Sequence, residues 1–140
     1  MCSQVNWIAL KRIFEQTPQV VAAWVFGSSQ EGCVRSGSDL DVGVLFRRPP
    51  TLDTLATLRA DLQAALQIED IDLVTLNRAS PVTRFEAVSG RAIFCRDRAR
   101  RAEFVSLAAR EYEDALAFLR WGMEQLKTTP GDFAAGAWAA

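Results

Sequence analysis

An unbroken apolar run, Val-Val-Ala-Ala-Trp-Val-Phe, extends from Val20 to Phe26 and stops abruptly at Gly27-Ser28. A run so short, with no polar alternation, reads as a strand covered on both faces. Such a strand needs sheet neighbours beside it and helices above and below. The expectation is an α/β domain: a small mixed sheet flanked by helices, with its active site at one sheet edge.

The remaining pattern fits that frame. Val5, Ile8, Ala9, Ile13 and Phe14 recur at helical spacing, predicting a helix from about Ser3, its cap, to Gln16, ended by Thr17-Pro18. Asp39 to Phe46 is strand-like, Arg47-Arg48-Pro49-Pro50 breaks the chain, and a helix is expected over about Thr51 to Leu66. Ile68 to Leu76 reads as a third strand, Pro81 to Val88 as a short helix and Ala92 to Cys95 as a fourth strand. A long helix from about Asp97 to Leu126, capped by Asp97, closes the fold. With 140 residues there is room for one domain, expected over 1–127, and the Gly- and Ala-rich 128–140 reads as a flexible tail.

Composition removes several classes of function. The formal charge of −1 gives no ground for general nucleic-acid binding or for an anionic membrane surface. No apolar run approaches the roughly 20 residues of a membrane span. The absence of histidine rules out a Cys/His zinc finger and a Ser-His-Asp triad, so a general base must be a carboxylate or a metal-bound hydroxide. Cys2, Cys33 and Cys95 are odd in number and scattered, and do not describe a disulfide framework. Lys11, Arg12 and Glu15 interrupt any signal-peptide core, and a reducing cytoplasm is the expected location.

The chemistry concentrates in Phe26-Gly27-Ser28-Ser29-Gln30-Glu31-Gly32 and Ser38-Asp39-Leu40-Asp41-Val42. Alternation along a strand puts Asp39 and Asp41 on one face, roughly 7 Å apart. Like charges at that spacing invite a hard cation, and Mg²⁺ takes one or two carboxylates plus phosphate oxygens. Asp72, opening the next strand, is the expected third ligand, with Asp70 the runner-up. Three carboxylates around two ions roughly 3.5–4 Å apart suit in-line attack on a phosphoryl group, with Asp72 helping to take the proton. A strand ending in Gly27 lets backbone approach a triphosphate, which Ser28 contacts through hydroxyl and amide. A helix starting at Ser28 would add its N-terminal partial charge.

Neither half is specific alone; their order is. Gly27-Ser28, ten intervening residues and Asp39-Leu40-Asp41 resemble the signature of the DNA polymerase β-like nucleotidyltransferase superfamily, and Gly32 falls where those proteins often carry a second glycine. From Val20 to Leu126, through Asp72-Leu73-Val74-Thr75-Leu76-Asn77, Pro81, Gly90 and Glu111-Tyr112, the chain is similar to minimal nucleotidyltransferases. The resemblance implies a polymerase β palm-like fold with two Mg²⁺ ions and ATP as substrate. It further implies an antitoxin that moves AMP onto a tyrosine of a partner HEPN-type toxin. A small-molecule acceptor of aminoglycoside type usually needs a further domain, for which 140 residues leave no room. The other alternative is a catalytically silent antitoxin that acts by binding alone. The loop departs from the family pattern at Ser29-Gln30-Glu31, where Glu31 opposes a triphosphate unless it turns outward, and Arg35 is the candidate to compensate from the same loop.

Further along, Arg96, Arg98, Arg100 and Arg101 read as a solvated basic face rather than a phosphate-facing patch. Val105, Ala108, Tyr112, Ala115, Leu119, Met123 and Leu126 form the long helix's core stripe. Phe118 and Trp121 fall beside it, making the helix apolar on more than one side and inviting a protein partner. Tyr112 is expected to pack rather than accept a nucleotide, and Trp138 reads either as tail or as partner contact.

Overall fold

The computed structural model describes residues 2–128, and the segment 129–140, with Trp138, lies outside the described residues. Among the described residues six strands and four helices follow one another in the order β1 (Cys2–Gln4), α1 (Trp7–Glu15), β2 (Val20–Phe26), β3 (Cys33–Arg35), β4 (Leu40–Phe46), α2 (Leu52–Leu66), β5 (Ile71–Thr75), α3 (Pro81–Val88), β6 (Arg91–Cys95) and α4 (Arg98–Thr128). The main sheet has the order β5-β4-β2-β6 and is mixed: only β4 and β5 run parallel.

All seven residues of β2 are buried, because helices cover both faces of the sheet. On one face Leu10 and Phe14 of α1 and Leu58, Leu62 and Leu66 of α2 pack against Val42, Val44 and Phe46 of β4. On the other, Ala87 of α3 with Phe104 and Val105 of α4 pack against Ala22, Trp24, Phe26 and Leu45. Each large side chain so buried contributes about 1.5–3 kcal/mol, making the double cover the main source of stability. Gly43 lets α3 approach β4: a β-carbon there would meet Ala87 Cβ at 3.1 Å and Leu76 Cδ1 at 3.3 Å.

Local chemistry sets the helix ends. Thr51 Oγ1 accepts from the Thr54 amide at 3.1 Å at the start of α2, and Ser80 Oγ from Thr83 at 3.3 Å before Pro81 opens α3. Asp97 caps α4 as expected, accepting from the Arg100 amide at 3.1 Å.

Three expectations change. The first segment opens as a strand, β1, which pairs with β3, so Asn6 rather than Ser3 caps α1, accepting from the Ala9 amide at 3.1 Å. The cysteines are not all unpaired: β1 and β3 bring Cys2 and Cys33 within 5.5 Å Cα to Cα, and they form a disulfide, leaving Cys95 free. That pairing depends on a strand register between segments 31 residues apart and has no local signal. Finally, the α4 stripe is core only at its start: Ala108 is buried, whereas Leu119, Met123 and Leu126 are exposed along with Phe118 and Trp121.

Candidate functional site at the strand ends

Because β2 is antiparallel to β4, and β4 is parallel to β5, the end of β2 lies beside the starts of β4 and β5. In that register Asp41 stands opposite Phe26 on one side and Asp72 on the other. Asp39 lies just before β4, and Gly27 and Ser28 follow β2 directly. The structure thus gathers Gly27, Ser28, Asp39, Asp41 and Asp72 at one end of the sheet. Asp72 lies on the edge strand β5, and the group as a whole spans three strand ends.

Gly27 adopts a left-handed φ of +73°, and a β-carbon there would come 2.5 Å from Asp41 Oδ2. No other residue type fits both the conformation and the contact. Gly27–Ser29 forms a single 3-10 turn rather than the start of a longer helix, so the anticipated helix dipole is missing and local amides must act on their own. Ser28 is exposed at this turn, while Ser29 is buried and its hydroxyl donates to the Asp39 carbonyl at 3.4 Å. Ser29, one of the atypical loop residues, therefore ties the turn to the start of β4. Glu31 and Arg35 are both exposed.

Burial is the leading cause that lifts the Asp41 carboxyl above the usual carboxylate range, followed by the negative charges of Asp72 and Asp39, a hydrogen bond with the Asp72 side chain, and Glu86. Among the described residues none of Asp39, Asp41 and Asp72 is held in an ion pair. Nor do the described residues contain a group of three potential ligands already spaced to hold a metal ion. The donor set nevertheless suits a hard cation: Asp41 and Asp72 repel one another on adjacent strands, and Mg²⁺ needs only one or two carboxylates when phosphate supplies the rest. Asp70 lies outside β5, with its carbonyl accepting from the Leu40 amide at 2.8 Å.

Beside Gly27 a cavity of about 350 Å³ opens between the end of β2 and the α3–α4 pair, walled by Phe26, Phe85, Glu86, Gly90 and Tyr112. Phe85 and Tyr112 stack with ring centroids 4.0 Å apart and planes 4° from parallel, so Tyr112 packs as expected. Glu86 escaped the sequence reading, since one acid on a short helix carries no signal until Gly43 lets α3 settle beside Asp41.

Two arginines away from these strand ends hold the frame. Arg84 bonds the carbonyls of Leu76 (2.9 Å) and Asn77 (2.8 Å) and pairs with Glu111 at 3.0 Å, joining α3 to α4. Arg96 is part of no solvated face: its guanidinium donates to the carbonyls of Phe14 (3.2 Å), Glu15 (2.8 Å), Thr17 (2.8 Å) and Val20 (2.7 Å). It closes the end of α1, where unpaired carbonyls and the helix dipole favour a cation.

The model of the family described as polymerase beta, nucleotidyltransferase, matches residues 9–99. No curated protein matches the chain significantly. Among solved structures, a chain of a mutant toxin–antitoxin pair MntA–HpeT is 20% identical and superposes with a TM-score of 0.72, covering 88% of this chain and 99% of that one. A toxin–antitoxin structure with AMP-PNP gives 22% identity, a TM-score of 0.72 and the same coverage of 88% and 99%. A chain of the complex of the tri-AMPylated HEPN toxin of Shewanella oneidensis with MNT antitoxin gives 20% identity and a TM-score of 0.64, covering 86% of this chain and 97% of that one. At these identities the likeness is one of fold.

Proposed function

The chain belongs to the polymerase β nucleotidyltransferase family, and from that premise we propose that it transfers AMP from ATP to a tyrosine hydroxyl of a HEPN-type toxin, acting as that toxin's antitoxin. The observation that carries the reading is the meeting of Gly27 with Asp41, and of Asp41 with Asp72, at one end of the sheet. The pairs to which the chain is similar supply the partner: with a nucleotidyltransferase fold, it corresponds to the MNT antitoxin and not to the HEPN toxin.

In this reading Gly27 and Ser28 hold the triphosphate through backbone amides and the Ser28 hydroxyl. Asp39, Asp41 and Asp72 would hold two Mg²⁺ ions, which when bound would supply charge neutralisation for the attacking hydroxyl and the departing pyrophosphate. Asp72 accepts the proton of the attacking hydroxyl, which bonds to the α-phosphorus as the bond to pyrophosphate breaks. The exposed apolar residues of α4, including Phe118 and Trp121, support a protein rather than a small-molecule acceptor. No described helix is long and apolar enough to cross a membrane. The reading places the reaction in the cytoplasm, where the Cys2–Cys33 bond faces a reducing thiol pool.

The test is to incubate the purified chain with α-labelled ATP, Mg²⁺ and the HEPN-type protein encoded beside it. Label is expected on the toxin and is expected to disappear with Asp41→Ala. Tight complex formation without label would replace this reading with an antitoxin that acts by covering its partner.

A further inference from the structure

The cavity beside Gly27 is not accounted for by phosphate, metal or acceptor. No Lys or Arg is among the described residues lining it, and Glu86 is, so a triphosphate tail has no counter-charge there. The acceptor belongs near Asp72 on β5, whereas the cavity opens from the end of β2, on the far side of β4. What remains of the substrate is its uncharged part. A cavity of about 350 Å³ with one wall of parallel aromatic rings suits a flat heterocycle.

Resting on the adenylyl-transfer reading, we propose that this cavity is the nucleobase site, in which the purine lies against the Phe85–Tyr112 pair and Glu86 accepts a hydrogen bond from the exocyclic amino group. Glu86 is exposed at the cavity wall, so its carboxylate is available to a ligand without displacing packed structure. Gln30 and Ser89 also line the cavity and add neutral polar groups at its rim. Acceptor and donor are matched: a carboxylate oxygen takes hydrogen bonds, so it favours a base with an amino group over one without. Glu86 shares this cavity with Gly27 and with the aromatic pair, so a base joined to a phosphate held at Gly27 would arrive beside it.

The test compares three ligands in the presence of Mg²⁺: ATP, purine riboside triphosphate (ATP without its amino group) and inorganic tripolyphosphate. The wild type is expected to bind ATP about tenfold more tightly than the purine riboside analogue. Glu86→Ala is expected to collapse that ratio to about one, whatever its charge change does to both affinities. Phe85→Leu, checked by thermal melting, is expected to weaken ATP about tenfold and leave tripolyphosphate unchanged. A ratio near one in the wild type, a ratio that survives Glu86→Ala, or a Phe85→Leu effect shared equally by tripolyphosphate would overturn the proposal while leaving adenylyl transfer standing. If the wild type binds neither ATP nor tripolyphosphate, the transfer reading itself falls and this site with it.

Discussion

A β-carbon on Gly27 would stand 2.5 Å from Asp41 Oδ2, so the turn that follows β2 and the carboxylate that opens β4 occupy touching positions. The left-handed backbone at Gly27, φ +73°, makes the same position intolerant of a side chain for a second reason. Gly27→Ala is therefore expected to cost about 1–2 kcal/mol of stability from the backbone alone. Its larger effect should be on nucleotide binding, since Asp41 must move to make room. Calorimetric melting and ATP titration of the variant measure the two effects separately; wild-type affinity would contradict the assignment of this turn to the triphosphate.

Asp41 gives a prediction whose sign runs against intuition for an acid in a folded protein. Its folded-state pKa is raised, first by burial and then by Asp72 and Asp39, so the fold disfavours the ionised form. The protein thus gains stability as pH falls through the Asp41 range and loses it as pH rises. Without divalent ions, Asp41→Asn should melt at a higher temperature than the wild type at pH 7–8. The difference should close as pH is lowered until Asp41 is protonated in both states. A lower melting temperature for the variant at neutral pH would mean that the carboxylate is held by favourable contacts instead.

Arg96 should matter to the fold and not to the chemistry. Four carbonyls at the end of α1 and the start of β2 share its guanidinium. Arg96→Met is expected to lose about 2–4 kcal/mol, and Arg96→Lys to recover only part of that, because an ammonium cannot span the same fork of acceptors. Urea denaturation measures both. Arg100, whose guanidinium donates to one carbonyl among the described residues, that of Arg47 at 2.6 Å, should be far less costly to replace.

The Cys2–Cys33 bond closes a loop with a sequence separation of 31, which in the chain-entropy account is worth about 2–4 kcal/mol. Cys2→Ser should lower stability by that amount under oxidising conditions and by nothing once the wild type is reduced. Equal stability of the two proteins before reduction would show that the link contributes nothing to the fold.

Much of this protein is decided along the chain. A seven-residue apolar run closed by Gly27-Ser28 reads as a covered strand, so Val20–Phe26 stands out with both its boundaries, Pro49-Pro50 marks the helix that follows and Pro81 opens the next. Asp39 and Asp41 share a face because side chains alternate along any strand. The spacing from Gly27-Ser28 is equally a property of the chain. What tertiary structure decided are the meetings between distant segments. The parallel register of β4 and β5 sets Asp72 opposite Asp41, Gly43 lets α3 bring Glu86 to the same end of the sheet, and Arg96 leaves an apparent basic face to close α1. Likewise, Cys2 finds Cys33 only once β1 lies beside β3. Local pattern encodes which surface a residue presents; only packing, through registers and close approaches, determines which other residue it meets there.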